Sequence, residues 1–220
     1  MTTSTDSGAL LRLLAWLSPG FPTGAFACSH GLEFAVEAGD VIDETSLQAW
    51  LEDVLAHGTG RTEAILLRAA HRAAHDPERL EALADLARAT APARERRSET
   101  TDLGTAFAAA AAPWSPPPLP QAPPYPVVLG ALAGAHGIDE DATIAAALQA
   151  FAANLISAAV RLVPLGQSAG LRVLVALEPT IRHVTDATRI AAPDDIGGCA
   201  FRSDLAAMRH ETQYTRLFRT

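Results

Sequence analysis

The apolar residues of this chain recur at the spacing of an α-helix, and this periodicity restricts the fold more than any other feature. Strand patterns that alternate apolar and polar residues, and the turn signals of hairpins, are essentially missing. The spacing is clearest after Asp43, where the apolar side chains fall on one helical face: Leu47, Trp50, Leu51, Val54 and Leu55. The sequence therefore predicts an all-α fold, a bundle-like array of about eight to ten helices.

Start and stop signals place several of these helices. Asp43 or Thr45 can cap the helix just described, and Asp76 followed by Pro77 is typical of an N-cap and a first helical residue. Asp139 can cap a long helix in the same way. Further helices are expected from Ala9 to Leu17, from beyond Gly60 to about His75, from near Arg94 into the alanine run, and from about Gln167 to Ile181.

A proline-rich stretch separates two helical halves. Residues 113–126 contain eight prolines, which exclude a helix or sheet interior and favour an extended surface connection. We expect one helical domain over residues 1–220 that contains this connection at 113–126. Residues 189–201, with one proline and two glycines, have the composition of a loop.

Charge and composition exclude several classes of function. The net charge is −8, so the overall field would not attract nucleic acid or an anionic membrane. All seventeen basic residues are arginine, which excludes a Walker A lysine and a Schiff-base lysine. Residues 58–62 have the glycines of a phosphate-binding loop, but they follow a helix and lack that lysine, so a plain helix connection is favoured. No apolar run reaches the roughly 18 residues of a bilayer span, and we expect a cytoplasmic protein.

Metal-ligating residues are few and scattered. Cys28 and His30 are the only candidates for a nickel contact near the amino terminus, and two ligands do not close a site. His71 and His75 are four residues apart on a predicted helix, but exposed histidines on an arginine-rich face are the simpler interpretation. No serine, histidine and acid arrangement indicates an active site. The charged run at 94–99 fits either a solvated helix face or a buried arginine network.

Five segments, taken in order, resemble the signature of the UreF family of urease accessory proteins. They are LSPGFPTGAF at 17–26 with SHGLE after it, WL at 50–51, RERRSE at 94–99, RLVPLGQSAG at 161–170 and HETQYTRLFR at 210–219. The matches cover the whole chain, and their joint occurrence is specific although each alone is weak. The chain departs from the family at Cys28, where an aromatic residue is usual.

This resemblance implies a non-enzymatic, all-helical homodimer. It implies a complex with UreD (UreH in some species) and the nickel-carrying GTPase UreG that activates apo-urease, with nickel handled by the complex and no cofactor bound tightly. The carboxy-terminal tail would then dock a partner through His210, Glu211, Gln213, Tyr214, Arg216, Leu217, Phe218 and Arg219. A conformational or interface motif would comprise Arg94, Glu95, Arg97, Arg161, Pro164, Gly166 and Gln167.

Two alternatives remain open at this stage. A metal-dependent helical enzyme or a stand-alone nickel-binding protein would draw its ligands from His30, Glu33, His71, His75 and His210. A module that regulates the UreG GTPase would place an arginine near the nucleotide. The tail mixes aromatic and arginine residues, which dominate binding hot spots, and this composition favours a docking function.

Overall fold

A computed structural model describes residues 6–220 of the chain. In this part of the chain all regular structure is helical, which confirms the predicted fold class. Ten helices have ten or more residues, and α2 has six. The helices are α1 (Ser7–Trp16), α2 (Leu32–Glu37), α3 (Glu44–Ala56), α4 (Thr59–Arg72), α5 (Pro77–Ala89), α6 (Arg94–Ala110), α7 (Tyr125–Ala135), α8 (Glu140–Leu162), α9 (Gln167–Ala176), α10 (Glu178–Ala187) and α11 (Phe201–His210).

Three aspartates start helices where the sequence predicted a cap. The Asp43 carboxylate accepts from the Ser46 backbone N–H at 2.8 Å and completes a capping box at α3. Asp76 accepts from Arg79 N–H at the start of α5, and Asp139 from Ala142 N–H at the start of α8. Each side chain satisfies an amide that has no partner within its helix.

The centre of the fold is α7 packed on α4. Eight of the eleven residues of α7 are buried. Gly130 and Gly134 face α4 so closely that a Cβ atom would lie 2.3 Å from the Leu67 carbonyl oxygen and 2.2 Å from the His71 carbonyl oxygen. The missing side chains therefore allow the two helix backbones to touch.

The helix α8 is long and apolar enough to cross a bilayer by length and composition, although the sequence predicted no such segment. About 44% of its apolar stretch is buried in the fold, where Ile144, Leu148 and Leu155 join the main hydrophobic core. A core helix meets the same criterion of length and composition, so this helix is weak evidence for a membrane span.

Several predicted boundaries were wrong. Helix α4 ends at Arg72, so His75 lies in a turn and does not share a helical face with His71. The proline-rich connection is shorter than 113–126, because a 3₁₀ turn covers Ala112–Trp114 and α7 already begins at Tyr125. The helix expected at 167–181 is two helices joined at Leu177, since Pro179 begins a new first turn. Helices α2, α7 and α11 were missed.

Candidate functional site

The last ten residues fold back onto the body of the protein. The carbonyl oxygen of Thr220 accepts two hydrogen bonds from Ser29, from the backbone N–H at 2.7 Å and from the hydroxyl at 2.8 Å. The Arg219 N–H donates to the Ala27 carbonyl oxygen at 2.8 Å. These bonds fix the end of the tail against the segment that precedes α2.

Glu33, buried on α2, holds the middle of the tail. Its carboxylate accepts from the backbone N–H groups of Leu217 and Phe218, at 2.7 and 3.0 Å. The same carboxylate accepts from Nε2 of His210 at 3.2 Å. One buried acid thus joins the end of α11 to the tail, and the donors around it satisfy its charge.

His210 lies between two carboxylates and has no exposed surface. Its Nε2 faces Glu33, and its Nδ1 lies 2.6 Å from Glu95 Oε2 on α6. Arg216 also donates to Glu95, at 2.6 Å. The tail is therefore fixed by a cluster of charged and hydrogen-bonding side chains, the ionic cluster, which comprises Glu33, Glu95, His210 and Arg216.

Glu211 caps a helix that is distant in sequence. Helix α6 begins after Ala93, whose side chain cannot cap. The Glu211 carboxylate accepts from the N–H groups of Arg94 and Glu95, at 2.8 and 3.4 Å, and lies 3.4 Å from Arg94 Nη2. A negative charge there also complements the helix dipole. The start of α6 therefore depends on the end of α11.

Phe218 is the buried hydrophobic anchor of the tail, with 5% of its surface exposed. The Arg161 guanidinium lies 4.4 Å from its ring centroid, within range of a cation–π interaction. Arg161 also donates to the Phe26 carbonyl oxygen at 2.9 Å. Three residues of the predicted conformational or interface motif therefore contact the last turn of α11 or the tail: Arg94, Glu95 and Arg161.

The predicted tail residues divide into two groups. His210, Glu211 and Phe218 are anchors, and Gln213 donates to Glu37 at 2.5 Å. Tyr214 is fully exposed and Leu217 is 75% exposed. The group with side chains in solvent is Tyr214, Leu217 and Arg219. Arg216 is partly exposed, but its guanidinium is held by Glu95.

The other predicted motif residues lie on the surface. Arg97 is exposed on α6. Pro164 and Gly166 lie in the exposed connection from α8 to α9, and Gln167, also exposed, is the first residue of α9. This connection explains their residue types, because proline ends one helix and glycine permits the start of the next.

The residues that sequence reasoning missed are buried polar partners of the tail. Glu99 on α6 forms a buried ion pair with Arg96, and it accepts from the Thr220 hydroxyl. Burial alone would raise the pKa of Glu99, but the charge of Arg96 and the hydrogen bond from His30 hold it well below its usual range. The sequence predicted either a solvated helix face or a buried arginine network at residues 94–99. The segment contains both, because Arg94 and Arg97 are exposed and Arg96 forms a buried ion pair with Glu99.

Cys28 and His30 are both buried and engaged in the fold. His30 places Nδ1 3.4 Å from Glu99 and Nε2 3.0 Å from the Thr59 hydroxyl. Burial and the charge of Arg96 lower the pKa of His30 to about 4, and burial raises the pKa of the Cys28 thiol to about 11. Among residues 6–220, no group of three or more histidine, cysteine or acidic side chains is arranged to hold a metal ion.

The remaining ligands of the alternative metal enzyme have separate partners. His71 Nε2 lies 2.8 Å from the Ile138 carbonyl oxygen, and His75 is exposed in the turn after α4. His210 and Glu33 belong to the ionic cluster that holds the tail. The fold therefore distributes these side chains over three unrelated local structures.

Comparison with known proteins gives one consistent family. A family model described as UreF matches residues 41–178. The urease accessory protein UreF of Cereibacter sphaeroides strain KD131 is 55% identical over 214 residues, which cover 97% of this chain and 100% of the relative. The corresponding protein of Rhodopseudomonas palustris strain BisB18 is 48% identical over 227 residues, covering 99% and 94%. That of a Methylobacterium species, strain 4-46, is 50% identical over 220 residues, covering 96% and 88%.

Proposed function

Because the chain belongs to the UreF family of urease accessory proteins, we propose that it is a scaffold that holds UreD and the GTPase UreG together while nickel enters apo-urease. Family membership assigns it to urease maturation, as an accessory protein rather than a catalytic enzyme. In this proposal nickel is cargo of the complex, and the chain acts as a cytoplasmic homodimer with no tightly bound cofactor.

The observation that supports docking is the division of the tail into anchors and exposed side chains. The anchors fix the backbone, so Tyr214, Leu217 and Arg219 extend from a rigid support rather than from a frayed end. Aromatic residues and arginine on a preorganised surface lose little conformational entropy on binding. The tail is therefore suited to bind a partner with its exposed side while its buried side remains attached.

Helix α11, directly before the tail, adds an apolar stripe. Phe201, Leu205 and Met208 are spaced by four and three residues, so they share one helical face, and they are 67%, 42% and 46% exposed. Exposed apolar side chains that are grouped in this way are typical of protein interaction sites. We propose that this stripe and the exposed tail residues together form the UreD contact.

The test is co-purification of the chain with UreD and UreG from cells that express all three. We expect the double variant Tyr214→Ala/Leu217→Ala to weaken complex formation by at least about tenfold, because it removes two exposed hot-spot side chains. Its own stability should change by less than about 0.5 kcal/mol, since both side chains lie in solvent.

The matched control is Ile42→Ala/Ile190→Ala, which removes two other exposed apolar side chains, 63% and 92% exposed. This control should elute with UreD and UreG as the unaltered protein does. An intact complex with the tail variant would contradict the proposed contact. Deletion of residues 214–220 is less informative, because it also removes the anchors Phe218 and Thr220.

A further inference from the structure

The surface around α11 exposes basic side chains in a chain that is acidic overall. Two segments form it: residues 94–99 at the start of α6, and residues 201–220, which comprise α11 and the tail. Together they contain seven arginines and four acids, whereas the whole chain has a net charge of −8. Five of these arginines are exposed: Arg94, Arg97, Arg202, Arg209 and Arg219. None of the four acids in these two segments is exposed.

The four acids are committed to partners inside the fold. Glu95 and Glu99 belong to the ion pairs described above, and the Glu211 carboxylate caps α6. Asp204 accepts from the Cys199 thiol at 3.3 Å. The negative charge of these segments is therefore turned inward, and the charge that they present to solvent is positive.

Some of the exposed arginines have partners and others have none. Arg94 lies 3.4 Å from Glu211, and Arg202 pairs with Asp40 of α2. Among residues 6–220, the other three form no ion pair: Arg97, Arg209 and Arg219. The fold therefore does not use the charge of these three side chains.

These arginines border the apolar stripe of α11, which comprises Phe201, Leu205 and Met208. Arg202 and Arg209 are seven residues apart, so they lie on one line along the helix, about 50° around its axis from Leu205. The start of α6 adds two more arginines beyond the end of α11, where Glu211 joins the two helices. An apolar centre with a polar edge is the usual arrangement of a protein–protein interface.

Two exposed acids also border this surface, at the end of α2, which packs against α11. Asp40 accepts from Arg202 at 2.5 Å, and Glu37 accepts from Gln213 at 2.5 Å. Each of these acids is thus occupied by a donor from α11 or the tail. They leave the three unpaired arginines without a counter-charge, and the edge of the stripe remains positive.

We propose that the arginines around α11 select an acidic partner: the protein that docks on the stripe and the tail presents apolar side chains bordered by carboxylates. This inference rests on the scaffold proposal, because it specifies the chemistry of the contact assigned there to UreD. Arg97, Arg209 and Arg219 guide the approach of the partner, and the stripe supplies the apolar area. Opposite charges at the edge of an interface act mainly on the rate of association and on specificity.

The apolar centre favours a protein over a nucleic acid. A nucleic-acid site lines up basic side chains along the phosphate backbone, and it usually belongs to a basic domain. Here the middle of the surface is apolar, and the net charge of −8 repels a polyanion at long range. The acidic face of a folded protein meets both conditions, because its charge is local and its centre can be apolar.

The rate of association of the full-length protein with UreD, measured by surface plasmon resonance at about 0.05 M and about 0.5 M salt, tests the charge of the partner. We expect the association rate constant to fall at least about tenfold at the higher salt, with less than about a threefold change in the dissociation rate constant. An association rate that does not depend on salt would overturn the proposal.

A charge-reversal variant identifies the arginines involved. Arg97→Glu together with Arg209→Glu should slow association at least about tenfold at about 0.05 M salt and much less at about 0.5 M. The control is Arg79→Glu/Arg182→Glu, which makes the same change in net charge at exposed positions on α5 and α10. Equal association rates in these two variants, each shown by circular dichroism to be folded, would contradict the assignment.

The variant Tyr214→Ala/Leu217→Ala separates this inference from the scaffold proposal. If it weakens UreD binding while Arg97→Glu/Arg209→Glu associates as fast as its control, the docking surface stands and the acidic partner is wrong. If only the arginine variant is slowed, the acidic partner stands and the apolar tail contact is wrong. If neither variant differs from its control, both are wrong.

Fluorescence anisotropy with single-stranded and duplex DNA tests the other class of partner. We expect no binding tighter than about 1 μM at about 0.15 M salt. Tighter binding that is lost in Arg97→Glu/Arg209→Glu would assign this surface to nucleic acid and overturn the proposal of an acidic protein.

Discussion

His210 shows how a single residue connects three parts of the chain. It extends from α11 between Glu33 of α2 and Glu95 of α6, and Arg216 of the tail pairs with the second acid. Glu33 accepts from two backbone N–H groups of the tail, and Glu95 accepts from Arg216, so neither carboxylate is left without a donor. The cost of burying charge is thereby offset within the cluster.

Replacement of this histidine should be severe. His210→Ala leaves two partly or fully buried carboxylates without their shared hydrogen-bond partner, and we expect a loss of about 3 kcal/mol in the free energy of unfolding. Urea denaturation at pH 7 measures the loss. His183→Ala on exposed α10 is the control and should change the stability by less than about 0.5 kcal/mol. If His210→Ala also changed the free energy of unfolding by less than about 0.5 kcal/mol, the ionic cluster would contribute little to stability.

Glu63 should make stability depend on pH in an unusual direction. Its pKa is about 7 when folded and near 4.3 in an unfolded chain, so the folded state binds more protons between these values. Stability contributed by Glu63 is therefore complete below about pH 4.5 and is lost as pH rises through 7. Glu63→Gln cannot ionise, so it should stabilise the protein by about 3 to 4 kcal/mol at pH 8 and by only about 1 kcal/mol at pH 5.

Thermal denaturation of both proteins at the two pH values measures this difference. An equal stabilisation at pH 5 and pH 8 would indicate a packing effect of glutamine and not a titration of Glu63.

At the scale of elements, the contact between α7 and α4 depends on glycine. Gly130 and Gly134 are four residues apart, on the face of α7 that touches α4. The apolar residues of α7 show little preference for one face, because the helix is buried on all sides. This is why periodicity missed it, whereas the amphipathic helices α3 and α5 were found.

Gly130→Ala should separate α7 from α4. The new Cβ would lie 2.3 Å from the Leu67 carbonyl oxygen, which belongs to a helix backbone and moves only with that helix. We expect a loss of about 2 to 3 kcal/mol in the free energy of unfolding, measured by urea denaturation. Gly20→Ala is the control, since its nearest neighbour is Ser18 Oγ at 3.6 Å. An unchanged free energy of unfolding in Gly130→Ala would mean that α7 can move away from α4 without loss of stability.

At the scale of the whole molecule, the carboxy terminus returns to the amino-terminal third. The main hydrophobic core extends from Ala9 to Phe218 and includes residues of most helices. Folding of the tail therefore depends on α2, α6 and α8 at the same time. A single domain over 1–220 remains a prediction that agrees with this shared core.

Phe218→Ala should release the tail while the helical core stays folded. It removes the buried ring beneath Arg161, and we expect the local stability of residues 211–220 to fall by about 3 kcal/mol. Hydrogen exchange should then accelerate at the amides of Leu217 and Arg219, which are bonded in the folded tail. Tyr214→Ala should leave the exchange unchanged, because that side chain is fully exposed. Unchanged exchange in Phe218→Ala would rule out the anchor function.

The sequence by itself determined the helices whose signals are local. Asp43, Asp76 and Asp139 cap helices within three residues of themselves, and the stripe from Leu47 to Leu55 follows from the period of one helix. The family signature also indicated the tail as a functional segment. These features depend on residues that are neighbours along the chain.

Only the tertiary structure decided which tail residues are anchors and which are exposed. The partners of the tail lie far away in sequence: Glu33 is 177 residues from His210, and Glu95 is 115 residues from it. Helical period orders the side chains of residues 94–99 around α6, but it does not reveal what each one faces. Burial of Arg96 and Glu99 and exposure of Arg94 and Arg97 result from packing between distant segments.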